Sequence, residues 1–222
     1  MTIPKLLLEV QNRRSDIIQL TSDLIKIPTI NPPGTNYREI CEFLSKRLKK
    51  SGFDVDIIRA KGALADTDKY PRFNLVARHE GTYSGPCIHF NSHIDVVDTG
   101  HGWTRDPFGG SIEGDKIFGR GSCDMKGGLA SSIVAAEVFI SIFPKYYGAI
   151  EISATADEET GGYGGVAWLA EKGYFNPKKV QSVIIPEPLN KDRICLGHRG
   201  VWWSEIETKG RVAHGSMPFL GD

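Results

Sequence analysis

The sequence has no C-x-x-C pair: its four cysteines, Cys41, Cys87, Cys123 and Cys195, are scattered through 222 residues. That excludes a thiolate zinc knuckle and gives no sign of a disulfide framework. The thiols read as reduced core residues of a cytosolic (cytoplasmic) protein, and any metal must be held by histidine and carboxylate. Net charge is missing too, since Lys plus Arg and Asp plus Glu each total 27. Neither a nucleic acid nor an anionic membrane is favoured as partner. No apolar run is of membrane type: the longest, 127–143, is interrupted by Ser131, Ser132 and Glu137 and reads as a buried helix. The start does not read as a signal peptide, because Leu6-Leu7-Leu8 runs into Glu9, Arg13, Arg14 and Asp16. Repeats and low-complexity tracts are absent. The run Gly161-Gly162-Tyr163-Gly164-Gly165 lacks both the Lys-Ser/Thr of a P-loop and a G-x-G-x-x-G spacing, which argues against nucleotide binding.

What is present suits an ordinary globular chain, with 40% hydrophobic and 24% charged residues and length for one large domain or a domain and a fragment. Apolar positions Leu6, Val10, Ile17, Leu20, Leu24 and Ile27 predict one helix that stops before Pro28. A loop, Asn31-Pro32-Pro33-Gly34, precedes an amphipathic helix over 37–50, ended by Ser51-Gly52. Short β-type runs follow at 54–58, 73–78 and 87–91. After a loop over 98–110 come a strand at 116–118, a long helix at 126–143, a strand at 149–154, a helix at 166–172 and a strand at 181–185. Alternating strands and helices predict an α/β fold with a mixed, largely parallel sheet covered on both faces. Residues 201–207 alternate as a half-exposed strand would, after a boundary placed near 197–200. The expected division is 1–198 and 199–222.

Three consecutive carboxylates, Asp157, Glu158 and Glu159, follow the β-type run 149–154 in a loop too glycine-rich to bury them. An acidic loop alone is solvated surface, but adjacent acids repel unless a cation shares the site. Other element ends carry metal-capable side chains as well. His93 and Asp95, two apart on a strand, share a face, so the carboxylate is placed to orient the imidazole. Asp124 sits among Gly119, Gly121, Gly127 and Gly128, where it reads either as a helix cap or as a metal ligand. Glu187 is displayed between Pro186 and Pro188. Glu158 and Glu159 point apart if extended, so one is free to bind metal while its neighbour moves protons. Metal acidifies bound water enough to attack a carbonyl with a carboxylate as general base, and a carboxylate bridging two metals suits amide hydrolysis.

The stretches Ser92-His93-Ile94-Asp95-Val96-Val97, Asp106-Pro107-Phe108, 119–128, Asp157-Glu158-Glu159-Thr160-Gly161, Pro186-Glu187-Pro188 and Ala213-His214-Gly215-Ser216-Met217-Pro218 resemble the M20 metallopeptidase family. The branch they resemble holds acetylornithine deacetylase and succinyl-diaminopimelate desuccinylase. The resemblance implies a zinc-peptidase-like catalytic domain over 1–198 and the start of an α+β lid and dimerisation domain over 199–222. It implies His93, Asp124 and Glu187 as ligands of one Zn²⁺, and Asp124, as bridge, with Glu159 for a second; Co²⁺ or Mn²⁺ are possible substitutes. Glu158 matches the general base, Asp95 the partner of His93, and His214 the lid histidine that reaches a neighbouring subunit of a homodimer. The peptide after the bridging aspartate, Asp124–Met125, is expected to be cis. The expected reaction is zinc-dependent removal of an N-acyl group from an amino acid or peptide, desuccinylase-like. Acetylornithine deacetylase and other M20 carboxypeptidase or aminoacylase activities share these motifs. A metal-binding but inactive fragment or paralogue is the alternative of another class, because family members continue beyond Asp222 with a segment that carries the last ligand of the second metal.

Overall fold

Helical spacing runs from Leu6 to Ile27, yet the chain makes two helices there rather than one. In the computed structural model, which describes residues 3–190, 192–197, 199–200, 202, 204, 206–207 and 209–222, α1 (Ile3–Asn12) and α2 (Arg14–Ile25) meet at a turn on Arg13. The two segments differ in burial: α1 rests on the core with Leu6 and Val10 only half-buried, whereas α2 buries Leu20, Leu24 and Ile25. At that turn Arg13 pairs with Asp16 and with Glu137, 2.8 Å away.

α3 (Tyr37–Lys50) buries Ile40, Cys41, Leu44 and Leu48, the stripe its spacing predicts. It ends where Gly52 takes φ +88°, a left-handed turn that glycine enters without strain. Then come β1 (Asp54–Arg59), β2 (Phe73–Glu80), β3 (Tyr83–His93), β4 (Ser111–Glu113), β5 (Lys116–Phe118), α4 (Lys126–Ile142), β6 (Tyr147–Thr155), α5 (Val166–Glu171) and β7 (Val180–Ile184). Five strands form one sheet in the order β1-β2-β6-β3-β7, while β4 and β5 form a separate ribbon. The β1–β2 and β2–β6 pairings are antiparallel, and β3 pairs in parallel with both β6 and β7.

α3 packs on β1 and β2, α4 on β3 and β6, and α2 on α4. The core lies between them and the sheet, with Leu75, Ile150, Ile152 and Ala154 pointing into it. Alternate residues turn to the other face. There the buried His89 sits with Nδ1 2.7 Å from Glu151 and Nε2 2.8 Å from the Ser153 hydroxyl, under the edge of Phe175. Among the described residues no helix is long and apolar enough to cross a membrane.

The parallel pairing sets the stage for the site. β3, β6 and β7 run the same way, so their carboxyl ends reach one edge of the sheet, where α/β folds bind their ligands. His93, Asp157 to Glu159 and Glu187 all lie at or just beyond those ends. The chain divides into two units, Met1–Pro188 and Leu189–Asp222. In the second, a 3₁₀ turn spans Pro218–Leu220. The strand expected over 201–207 falls partly outside the described residues, at Val201, Trp203 and Glu205.

Candidate metal centre

β3 delivers His93 as its last residue, with the side chain buried. Nδ1 donates to the backbone carbonyl of Asp95 at 2.9 Å, which aims Nε2 at the acids. Asp124 Oδ1 lies 2.9 Å from Nε2, Glu187 Oε1 3.6 Å and Glu158 Oε2 3.9 Å. Asp95 Oδ1 stands 3.6 Å from the same Nδ1, at ion-pair distance. Fully buried, that carboxylate also accepts the backbone N–H of Glu158 and of Glu159, each at 3.1 Å, and the Asn31 amide at 2.8 Å. Asp95 therefore holds the acidic turn, and its carbonyl holds the histidine.

Beyond β6 the chain does not stay extended. Asp157 adopts φ +63°, and Glu158–Thr160 form a 3₁₀ turn, in which successive side chains point about 120° apart. Glu159 thereby joins His93 and Asp124, with one ligand atom from each within 4.8 Å of the others. The Glu158 side chain stays 55% exposed beside them. Asp157 departs from the reading of three solvated acids: it is buried, paired to Arg72 Nε at 2.9 Å and to the Tyr37 hydroxyl at 3.1 Å. A glycine-rich loop can bury an acid when a cation from another element lies beneath it.

Asp124 is not a helix cap. α4 starts at Lys126 after Met125, without a side-chain cap, and the Asp124–Met125 peptide is cis. The Asp124 carboxylate is left half-exposed at the cluster. Lys126, fully buried, pins the first turn of α4 by donating to the carbonyls of Leu24 and Ile27 at 2.9 and 2.8 Å. The segment carrying Glu187 is fixed by contact with the same helix. A Cβ on Gly128 would stand well inside van der Waals contact distance of the Pro186 carbonyl oxygen. Gly128→Ala is expected to push the Pro186–Pro188 turn outward, weakening metal binding about tenfold and lowering Tm. A metal titration of the variant checks this, and wild-type affinity would show that Glu187 needs no such seat.

The electrostatics show strain that a cation would relieve. Burial opposes charge on His93, but Asp124, Asp95 and Glu187 outweigh it and hold the imidazolium up to about 11. Glu187 is pushed up to about 7 by burial, with Asp124 and Glu158 adding repulsion. Glu159 is raised by burial and by Asp124, while the hydrogen bond from His93 holds Asp124 below the usual carboxylate range. One proton thus balances a crowd of acids. A neutral imidazole nitrogen with several carboxylate oxygens is a donor set that fits a borderline or hard divalent cation. A cleft of about 240 Å³ opens on Asp124 and Glu159, bordered by Val97, Arg120 and Cys123.

Residues 89–216 match the sequence profile of peptidase family M20/M25/M40. The chain belongs to this family. A probable succinyl-diaminopimelate desuccinylase of Staphylococcus epidermidis is 35% identical over 208 residues, covering 93% of this chain and 47% of that protein. A succinyl-diaminopimelate desuccinylase of Pseudomonas syringae pv. tomato is 32% identical over 213 residues, with 93% and 52% covered. The chain thus spans about half the length of the curated relatives it matches. Among solved structures, the M20 family metallo-carboxypeptidase Sso-CP2 from Sulfolobus solfataricus superposes with a TM-score of 0.63 at 24% identity, over 77% of this chain and 37% of that one. The mixed sheet flanked by helices is the fold of M20 catalytic domains.

In this M20 chain, His93, Asp124, Glu158, Glu159, Glu187 and Asp95 gather at one sheet edge. His214 lies in the second unit, exposed, its Nδ1 2.8 Å from the Ser216 hydroxyl. Sequence reading missed the residues beneath the cluster. Asn31, seen only as part of a loop, links Asp95 to the Thr160 hydroxyl at 2.8 and 2.9 Å. Fully buried Asn74 takes the Ala156 N–H at 2.9 Å and donates to the Gly164 carbonyl at 2.8 Å. The available signal was a polar residue inside the apolar run Phe73-Asn74-Leu75-Val76-Ala77.

Proposed function

We propose that the chain carries the metal-binding part of an amidohydrolase that removes an N-acyl group, such as succinyl, from an amino acid. The observation that carries this reading is the convergence of His93, Asp124 and Glu159 ligand atoms within 4.8 Å, with Glu158 and Glu187 beside them. The desuccinylase relatives support the substrate class. His93, Asp124 and Glu187 would hold one ion, and Asp124 with Glu159 would contribute to a second. Zn²⁺ is the proposed metal, and Co²⁺ or Mn²⁺ the substitutes. When bound, such ions supply Lewis-acid polarisation of the acyl carbonyl and acidify water.

The chain's own residues do the rest. Glu158, with one carboxylate oxygen 3.9 Å from His93 Nε2, takes the proton of the attacking water and returns it to the leaving amine nitrogen. Asp95 keeps Glu158 and Glu159 at fixed height through their backbone N–H groups. The cleft beside Asp124 and Glu159 receives the acyl end of the substrate. By the family resemblance, His214 of a second copy in a homodimer donates to the developing oxyanion.

Metal analysis with an assay panel of N-succinyl-diaminopimelate, N-acetylornithine and simple N-acyl amino acids tests the proposal. Stoichiometric metal and turnover of the succinylated substrate are expected, and a preparation that takes up no divalent metal sinks it. Affinity should also depend on pH with a definite sign. In the metal-free chain His93 keeps its proton up to about pH 11 and Glu187 up to about 7, and each must release it to offer a lone pair. Affinity should therefore rise about tenfold per pH unit above neutrality, and more steeply below it, where two protons are displaced. Titrations across this range check the slope; a flat profile would remove both residues from the ligand set.

A further inference from the structure

The acidic turn is held from below by a device that belongs to neither the ligand set nor the base. We infer that Arg72, with Tyr37, is a positioning residue for the turn 157–160: by fixing the Asp157 carboxylate it sets where Glu158 and Glu159 stand. This rests on the metal-site reading above.

Arg72 and Asp157 are each only 3% exposed, and Nε donates to Oδ2 at 2.9 Å. The guanidinium is itself anchored, since Nη1 donates to the carbonyls of Pro33 at 2.7 Å and Tyr70 at 2.8 Å. The Tyr37 hydroxyl donates to the other carboxylate oxygen at 3.1 Å, and its ring lies under the guanidinium. Two glycines enclose the pair. A Cβ on Gly34 would meet the guanidinium, and one on Gly164 would meet Asp157 Oδ2 and the Arg72 stem. The Asn31-Pro32-Pro33-Gly34 loop therefore grips the turn twice, through Asn31 to Thr160 and through Pro33 and Gly34 to Arg72.

Stability alone is a poor reason for such a pair, because a well-packed apolar pair fills the same space without desolvating two charges. What the ion pair adds is direction. Asp157 is the left-handed residue, φ +63°, at which β6 turns into the 3₁₀ segment. The next two residues are the proposed base and a proposed ligand. Their backbone N–H groups are held by Asp95, and the carboxylate of the residue before them by Arg72 and Tyr37. Without Arg72, a buried carboxylate loses its cation and must protonate or swing towards water. Either response moves the turn.

The test uses the intact chain with Co²⁺ as probe, reading affinity and the visible d–d absorption spectrum. Arg72→Gln is expected to bind Co²⁺ about tenfold more weakly or worse, with an altered spectrum. Tyr37→Phe, which removes one hydrogen bond and keeps the ring, is expected to weaken binding about threefold. Arg47→Gln is the control. Arg47 bridges Asp16 and Glu137 between helices, away from the acidic turn, so its loss should lower Tm yet leave affinity and spectrum unchanged. Wild-type affinity and spectrum in Arg72→Gln, or an Arg47→Gln shift as large as that of Arg72→Gln, would overturn the inference. Should Arg72→Gln not fold, Tyr37→Phe decides: unchanged Co²⁺ affinity there overturns it equally. A wild-type chain that binds no Co²⁺ would instead bring down the metal-site reading itself, and this inference with it.

Discussion

Glu158→Gln is expected to keep its metal and lose about 10²-fold or more in kcat, the cost of removing general-base catalysis. The geometry separates the two adjacent glutamates. Glu159 joins His93 and Asp124 in the cluster of mutually close ligand atoms. Glu158 is more than half exposed, with its nearest oxygen 3.9 Å from His93 Nε2, within reach of a water but outside the tightest contacts. Glutamine preserves the shape and the backbone N–H bond to Asp95 while removing the proton acceptor. Metal content and kcat are to be measured together on both variants, in the form of the protein that turns over an N-acyl amino acid. If Glu158→Gln loses metal and Glu159→Gln loses only rate, the two roles are reversed.

His93→Ala is expected to weaken metal binding by well over 10²-fold, beyond the 10–100-fold typical of groups that merely orient a ligand. Among the described residues His93 is the only nitrogen donor within the cluster of close ligand atoms, and it is aimed by a hydrogen bond to its own strand's exit. Its removal also takes away the positive charge that balances Asp124 and Glu187 when metal is absent, so those acids repel without relief. The metal-free variant should consequently unfold more readily as pH rises and Glu187 ionises, because a raised carboxyl pKa means that the protonated form is the one the fold favours. Metal stoichiometry after dialysis checks the first point. Unchanged stoichiometry would remove His93 from the centre.

Most of the elements were legible because their periodicities are strong, though the three-residue β4 and the first part of β3 were not read. α3 buries the stripe its sequence presents, and α4 runs as one uninterrupted apolar helix from Lys126. The metal-capable residues were legible because they sit where apolar runs end, at His93 after β3, at Asp157 to Glu159 after β6 and at Glu187 after β7. The first helix reads as continuous because its apolar spacing runs on through Arg13, where the structure places a turn between α1 and α2.

Sequence alone determined which side chains have the chemistry for a metal centre and which family they resemble. Only the tertiary structure decided how they are held. Parallel pairing of β3 with β6 and β7 brings residues far apart in the chain to one edge. The turn after β6 then assigns neighbouring glutamates to different places. The supports, Asp95 on two backbone amides, Arg72 and Tyr37 on Asp157, and Asn31 between Asp95 and Thr160, join residues 60 or more positions apart. Such long-range bonds leave no periodicity in a sequence. They form because a buried carboxylate or amide must find its partner wherever the fold happens to bring one.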